Sequence, residues 1–498
     1  MDFSSGIICV CLTWLLIQAL HAFSRSKAIP KKLPPGPKPF PVIGNLLELG
    51  NKPHKSLAKL AKTHGPIMCL KLGQVTTIVI SSAAMSKEIL QTHDQLLSNR
   101  TIPDALRAYK HDEFSLPFIP VSTRWRNLRR ICLEQLFANK ILDVNQDMRH
   151  KKVQDLLADT HQSSLTGESV DIGRAAFKTT LNLLSNTMFS VDLADPNSDR
   201  ARVFKEIVWN IMKEVGRPNL ADYFPVLKKI DPQGVRRRLT VHFGKMLDLF
   251  DRMINQRLQL RNVSGSNTNN DVLDTLLNIS EENREEMDKT KIERLFLDLF
   301  VAGTDTTSAT LEWAMAELLH KPETLSKAKA ELEQGIFKGN PVQESDIPRL
   351  PYLQAIVKET LRLHPAAPFL LPRKAEADVE ISGYIIPKGS QVLVNAWAIG
   401  RDPSSWDNAE SFMPERFLGS EIDVKGRHFE LIPFGGGRRT CPGLPLAIRM
   451  LHLMLGSLIQ TFDWKLEDGV KPMDMNMDDK FGITLQRAYP LIAFPIPV

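Results

Sequence analysis

The segment Pro433-Phe-Gly-Gly-Gly-Arg-Arg-Thr-Cys-Pro-Gly443 restricts this chain more than any other stretch. Three successive glycines let the backbone approach a flat ligand closely and adopt positive φ. Cys441 is expected at the start of a helix, with Pro442 at the first helical position, where its missing N–H costs nothing. A sulfur placed there faces unsatisfied N–H groups and the positive end of the helix dipole, and both favour thiolate over thiol. A thiolate is what a soft or polarising metal centre requires. A phosphate-binding loop would need a lysine after the glycines, and none follows; a dinucleotide fingerprint would need a preceding βα unit. A zinc site would need neighbouring ligands, and His428 and His452 are unclustered. A lone buried cysteine is usually packing, but the glycines and arginines around this one argue against that.

The rest of the chain fits a large catalytic body. It has 498 residues, 43% hydrophobic and 24% charged, with no internal repeat. The polar run Asn262 to Asn270 is short enough for a surface loop between two helices. The net charge of +6 is mild and carries no basic stripe with interleaved aromatics, so nothing supports nucleic-acid binding. It suits an anionic membrane surface or an acidic partner. The cysteines are Cys9, Cys11, Cys69, Cys132 and Cys441; the first two lie in an apolar run and the rest are scattered. That is no disulfide framework, and it fits a reducing compartment. The sequons at Asn262 and Asn278 are then chance matches.

Phe3 to Phe23 holds no Asp, Glu, Lys or Arg and is about the ~20 residues needed for one membrane crossing. Arg25, Lys27, Lys31 and Lys32 follow it, so the positive-inside rule leaves the body in the cytosol. A cleaved signal peptide would carry its basic residues before the apolar stretch. Residues 1–24 are therefore expected to be a single-pass anchor and residues 25–45 a basic, Pro-rich hinge. Within that hinge, Leu33-Pro-Pro-Gly-Pro-Lys-Pro-Phe-Pro41 makes a stiff spacer. Residues 46–498 are expected to be the catalytic domain.

Along this body, Ile67–Leu72 and Thr76–Ile80 flank Gly73-Gln-Val and predict a hairpin. Apolar residues at three- and four-residue spacing predict helix through most of residues 83–365, notably Phe177–Met188, Val241–Leu260 and Ile292–Leu319. Short strands are expected at Val379–Ile386 and Gln391–Asn395, then a last helix over Leu444–Phe462 and strand-like pieces. The fold class is mainly α with a smaller antiparallel β part.

Two internal constellations add chemistry. Ala302-Gly-Thr-Asp-Thr-Thr307 interrupts an otherwise apolar helix. Burying Asp305 and Thr306 unpaired would be costly, and a threonine bonding back one turn could open the helix locally. Lys358-Glu-Thr-Leu-Arg-Leu-His-Pro365 sets Glu359 and Arg362 on one face of a largely apolar helix. Downstream, Arg416 in Phe412-Met-Pro-Glu-Arg-Phe417 is placed to share the Glu359 carboxylate.

Phe434, Gly437, Arg439, Cys441 and Gly443 match the haem-binding signature of the cytochrome P-450 family residue for residue. The chain resembles that family along its whole length, from anchor through Pro-rich spacer and helical body to haem loop. The resemblance implies the cytochrome P-450 fold, haem b as cofactor with Cys441 ligating its iron, and an axial thiolate that favours O–O cleavage. It also implies that Arg439, Arg373 in Leu371-Pro-Arg-Lys374, and the Trp125/Arg129 pair hold the haem propionates, for which the planar guanidinium is suited. Asp305 and Thr306 would relay protons during oxygen activation, with Gly303 making space, and Glu359, Arg362 and Arg416 would form a structural trio.

Ala221-Asp-Tyr-Phe-Pro225, Ile230-Asp-Pro-Gln-Gly234 and Asn395-Ala-Trp-Ala-Ile-Gly-Arg-Asp402 are similar to the plant geraniol-hydroxylase group. Members of that group oxidise monoterpene alcohols, sesquiterpenes, phenolic diterpenes or, in one branch, tyrosine. Gly436 stands where alanine is commoner, and Ala366 replaces a frequent proline beside the substrate pocket. By this similarity the pocket draws on the loop after Asn99 and on Phe300, Val301, Ala302, Ala367, Phe369, Leu370, Phe481 and Ile483. Such an apolar lining favours a small terpenoid over tyrosine.

The expected activity is hydroxylation with O2, using NADPH electrons from a cytochrome P-450 reductase in the endoplasmic reticulum membrane. The reductase would dock near Arg126, Arg130, Lys140 and Arg438. The competing readings are oxidation of a phenolic or tyrosine-type substrate, a reductase-independent haem-thiolate isomerase or dehydratase, and a non-catalytic haem sensor.

Overall fold

The computed structural model describes residues 13–14, 32–194, 199–264, 271–337, 339–467 and 469–498. The expected anchor, most of the basic hinge before Lys32, and residues 265–270 of the polar run lie outside the described residues.

Helix α1 (Pro53–His64) starts on a proline at its first position and leads into strands β1 (Ile67–Leu72) and β2 (Val75–Ile80). These pair antiparallel from Ile67↔Ile80 to Leu72↔Val75, so the predicted hairpin is present. After β3 (Asn99–Arg100), a run of helices begins with α2 (Thr123–Ile131), whose N-cap Ser122 accepts the Trp125 N–H. Helix α3 (Gln146–Thr166) and strand β4 (Val170–Asp171) precede α4 (Ile172–Phe189), α5 (Asp199–Val215), α6 (Val235–Ser264) and α7 (Val272–Glu282). Asn278, in the second sequon, sits within α7.

Helix α8 (Lys289–His320) is the spine of the molecule. Asp288 caps it by accepting the Lys291 N–H, and it runs unbroken for 32 residues, about 48 Å at 1.5 Å per residue. Its apolar residues pack on both sides. On one side Leu311, Met315 and Leu318 meet helix α10 (Pro351–Leu363) and helix α11 (Leu444–Thr461), with α9 (Pro322–Gly335) lying behind them. On the other, Leu295, Phe296 and Phe300 join Phe189, Phe204 and Phe250 from α4, α5 and α6. Burying both flanks is why this helix is apolar nearly all round rather than on one stripe.

The β part is small. Strand β5 (Arg373–Lys374), the hairpin β6 (Val379–Ile381) and β7 (Tyr384–Ile386), and β8 (Gln391–Val394) follow α10. The largest sheet has the order β1-β2-β8-β5-β3. Its β2/β8 pair is parallel, with Thr77 opposite Gln391, which corrects the expectation of a wholly antiparallel part. Parallel pairing needs a long crossover, and here the helical body supplies it. Helix α11 ends at Thr461, and Phe462, assigned to it from sequence, opens β9 (Phe462–Leu466). Strands β10 (Asp479–Lys480), β11 (Gln486–Arg487) and β12 (Ile492–Pro497) close the chain.

Among the described residues, α11 is the helix long and apolar enough to cross a bilayer, but 56% of it is buried in the core. Its composition reflects packing behind the cysteine loop.

Candidate active site

A cavity of about 360 Å³ lies between α8 and the cysteine loop. Cys441 lines it, with Phe434, Pro442 and Gly443 beside it, while Ala302, Gly303 and Thr306 of α8 form part of the wall. The loop is held by its glycines. Gly437 has φ +67°, and a Cβ there would stand 1.9 Å from the Leu90 carbonyl oxygen, so no other residue fits. The Cys441 N–H donates to the Phe434 carbonyl at 3.0 Å, which closes the loop across the glycines.

The helix begins at Leu444, where its periodicity placed it, and not at Pro442, where the cysteine loop suggested. Gly443 is the N-cap, Leu444 the first helical residue, and Pro445 rather than Pro442 occupies the proline-tolerant first turn. Cys441 thus sits just ahead of the helix, where the Gly443 and Leu444 N–H groups still face its sulfur. Burial in protein pushes the thiol up, while those two N–H groups and the Arg129 guanidinium pull it down. The sulfur is nevertheless reachable from within the cavity, since Cys441 is exposed there.

One end of the cavity is strongly cationic. Arg373 donates to Asp94 at 2.9 Å and to the Leu97 and Gly436 carbonyls. Arg439 donates to the Ser98, Leu116 and Ile119 carbonyls, and its guanidinium stacks 4.8 Å from the Trp125 ring centre. Arg129 donates to the Thr440 carbonyl at 2.9 Å. Arg100 donates to Pro117 and Leu371 carbonyls. All four guanidiniums line the cavity, and Asp94 is the one carboxyl described as offsetting any of them.

Asp94 is shared with Arg438 as well, so this largely buried end of the cavity carries an excess of positive charge. Burial and mutual repulsion push Arg100 well below its usual range and lower Arg439 to about 10. Buried charges are paired when their site is complete. The arrangement therefore fits a flat group carrying carboxylates, with a soft metal opposite Cys441. That is the chemistry of haem, whose propionates would complete the arginine cluster. Trp125, Arg129, Arg373, Phe434, Arg439, Cys441 and Gly443 line the cavity together, and Gly437 shapes the loop behind them.

The threonine-rich turn of α8 does not open the helix. Thr306 Oγ1 donates to the Ala302 carbonyl at 2.7 Å, and Thr304, Thr307, Ser308 and Thr310 bond back in the same way. These hydroxyls satisfy themselves without breaking the backbone ladder. Thr306 keeps its acceptor lone pairs towards the cavity, which it lines. Gly303 also lines it, and a Cβ there would approach Leu184 Cδ1 at 3.0 Å. Asp305, expected beside Thr306, is instead buried outside the lining and accepts from Gln486 Nε2 at 2.7 Å. Burial pushes it above the usual carboxylate range. Thr484, which neighbours Asp305, does reach the cavity.

The structural trio is present as expected. Arg362 donates from Nε and Nη2 to both Glu359 oxygens at 2.7 Å, and Arg416 Nε donates to the same carboxylate at 3.1 Å. Arg362 also reaches the Gly400, Ala409 and Ser411 carbonyls.

Of the expected pocket residues, Val301, Ala302, Ala367, Leu370 and Ile483 line the cavity. Phe300, Phe369 and Phe481 do not. Phe300 packs into an aromatic core, 5.2 Å from the Phe204 ring and 5.6 Å from Phe250. Phe481 stacks on His54 at 5.6 Å and meets Phe369 edge-on at 5.8 Å. Large rings bury more area against one another than against open space.

Sequence reasoning missed Arg100, which carries no distinguishing local signal. It also missed Asp298 and His111, both lining the cavity. A lone acid inside the apolar stretch Leu295-Phe-Leu-Asp-Leu-Phe300 was the available clue to the former.

Comparison with known proteins accords with this geometry. The family model described as Cytochrome P450 matches residues 34–492. The chain is 57% identical to a geraniol 8-hydroxylase of Swertia mussotii, covering 100% of this chain and 99% of that protein. It is 57% identical to a geraniol 8-hydroxylase of Catharanthus roseus, over 99% of each chain. It is 53% identical to a drimenol monooxygenase of Persicaria hydropiper, over 100% of this chain and 98% of that protein.

Proposed function

The chain belongs to the cytochrome P450 family, and from that premise we propose that it hydroxylates a small terpenoid, in the first instance a monoterpene alcohol. It is a haem-thiolate monooxygenase that takes electrons from a redox partner. The observation that carries the substrate reading is the cavity wall. Above Cys441 it is built from apolar side chains such as Leu106, Phe118, Leu184, Phe243, Leu299 and Val301. A wall of this kind selects by shape and exclusion of water. The named activities of the relatives, geraniol 8-hydroxylase and drimenol monooxygenase, point to the same class.

Haem held by Cys441 would supply O2 activation, with two electrons from the redox partner and two protons, so that one oxygen atom enters a C–H bond and the other leaves as water. The chain's own residues do the rest. The glycine loop and the arginine cluster orient the bound group. The Gly443 and Leu444 N–H groups and Arg129 stabilise negative charge on sulfur. The apolar wall holds substrate dry against α8. Thr306 Oγ1, its proton committed to the Ala302 carbonyl, offers an acceptor inside the cavity. Asp305 supplies an ionisable group behind that surface, next to Thr484, which lines it.

The electron donor proposed is NADPH through a membrane-bound cytochrome P450 reductase. All four residues proposed for docking, Arg126, Lys140, Arg130 and Arg438, are exposed. Arg130 is paired with Glu134 and Glu286, and Arg438 leans on Asp94, so the first two carry more of the free charge. The uncharged stretch Phe3 to Phe23 with basic residues after it supports a single-pass anchor that holds a cytosolic body on the endoplasmic reticulum.

The test is co-expression with a plant reductase and product analysis over a terpenoid panel. NADPH-dependent hydroxylation of a monoterpene alcohol is the expected result. Product formed without NADPH would replace this reading with an isomerase or dehydratase. Haem without any oxidised product across the panel would replace it with a binding protein.

A further inference from the structure

Apart from the arginine end and Cys441, the acidic or basic side chains that line the cavity are Asp298 and His111. Asp298 lies on α8 one turn before Ala302, inside the apolar stretch noted above. Three donors hold its carboxyl in place. Oδ1 accepts from Ser115 Oγ at 2.6 Å and from His111 Nε2 at 3.0 Å, and Oδ2 accepts the Leu116 N–H at 2.8 Å.

A carboxyl that accepts only has about four lone-pair sites on its two oxygens. Three are taken, and the remaining one belongs to Oδ2. His111 Nδ1, buried and without a partner among the described residues, is a second unsatisfied polar atom at the same place. In the neutral imidazole, with Nε2–H donating to Asp298, that nitrogen is an acceptor. An apolar cavity therefore presents one acceptor cluster, rigidly oriented by a serine, a histidine and a backbone N–H, with capacity left over. Buried polar groups with spare capacity at a binding wall are where a ligand's polar group is read.

We propose that Asp298, positioned by His111 and Ser115, is the specificity residue that accepts a hydrogen bond from the hydroxyl of an alcohol substrate. The inference rests on the terpenoid reading above and narrows it to acyclic prenyl alcohols. It also assigns a direction. Asp298 and Thr306 are eight residues apart on one straight helix, about 12 Å along its axis. That is close to the span of an extended ten-carbon prenyl alcohol. With its hydroxyl at Asp298, such a molecule presents its opposite hydrocarbon end beside Thr306 and Cys441.

The test compares geraniol with its methyl ether, which keeps the skeleton but cannot donate. Dissociation constants are measured with wild-type enzyme and with Asp298→Asn. Wild type binds the alcohol roughly tenfold or more tightly than the ether, as a hydrogen bond to a charged acceptor implies. It oxidises the alcohol at the end remote from the hydroxyl. In Asp298→Asn the ratio falls towards one through loss of alcohol affinity, with the ether unchanged.

A ratio near one in wild type overturns the proposal, as does a variant that weakens both ligands equally, since a merely structural role would do that. If Asp298→Asn does not fold, Asp298→Glu extends the carboxyl by one carbon, and an unchanged ratio and unchanged product position in that variant overturn it. Equal binding and oxidation of both ligands removes this inference alone. Failure of wild type to bind or oxidise either removes the terpenoid reading with it.

Discussion

Asp305 accepts a 2.7 Å hydrogen bond from Gln486, a residue of β11, and so turns its carboxyl away from the cavity that its neighbour Thr306 lines. Gln486 is therefore a positioning residue for the acid. Its hydrogen bond favours the ionised form, against burial, which favours the neutral one. Replacing it by leucine removes that pull and raises Asp305 further. The acid limb of the pH–rate profile then moves to higher pH in Gln486→Leu. Asp305→Asn lowers turnover by roughly 10²-fold or more, the low end for a lost general acid–base group. A profile unmoved by Gln486→Leu would show that Asp305 has no part in proton transfer.

The arginine cluster makes its own prediction about haem retention. Arg100 contributes one of the four cations and is 9% exposed. Arg100→Leu removes a charge the bound carboxylates would meet, so haem release to a competing apoprotein accelerates by roughly tenfold, the factor expected from losing one charge-assisted bond. Release at the wild-type rate would contradict the assignment of this end of the cavity.

Glu359 and Arg362 are both fully buried, and the pair is bound twice over. Arg362→Leu leaves the buried Glu359 carboxylate with Arg416 as its remaining cation, a loss of about 3 kcal/mol, the low end for breaking a buried pair, visible as a large fall in thermal midpoint. Removing both charges with Glu359→Leu does not restore it, because the Gly400, Ala409 and Ser411 carbonyls still lose their donor. Recovery in the double variant would show that the ion pair alone matters.

Glu312 gives the molecule a pH dependence near neutrality. Its Oε1 accepts the Leu491 N–H at 2.8 Å, and burial pushes its carboxyl from 4.5 up to about 7. A folded-state value above the unfolded one means stability is complete below about 4.5 and declines as pH rises to about 7. Glu312→Gln removes that decline. Its thermal midpoint therefore exceeds that of wild type at pH 8 by more than at pH 5. A difference independent of pH would contradict the shift.

How much of this was legible in the sequence depended on whether a residue's role was local. The cysteine loop, the hairpin Ile67–Ile80 and the Glu359/Arg362 spacing follow from turn chemistry and periodicity, and each is present. What failed depended on distant partners. Phe300, Phe369 and Phe481 had the right composition for a pocket wall, but rings from other elements were available to bury them. Asp305 was adjacent in sequence to the cavity yet found Gln486, 181 residues away. The parallel β2/β8 pair joins residues more than 300 positions apart, beyond any local pattern. Helix α11 starts at Leu444 as its periodicity indicated; Pro442 lies outside it because Gly443 takes the cap, a difference of the size at which helix boundaries are ordinarily ambiguous.

The central claim is that Cys441 donates its sulfur to haem iron within the arginine-lined cavity. Purified protein, reduced and exposed to carbon monoxide, tests it directly. The account predicts the strongly red-shifted Soret band of thiolate-ligated iron in wild type and its absence in Cys441→Ser. A wild-type preparation that binds haem but never shows that band, or a serine variant that keeps it, would contradict the account.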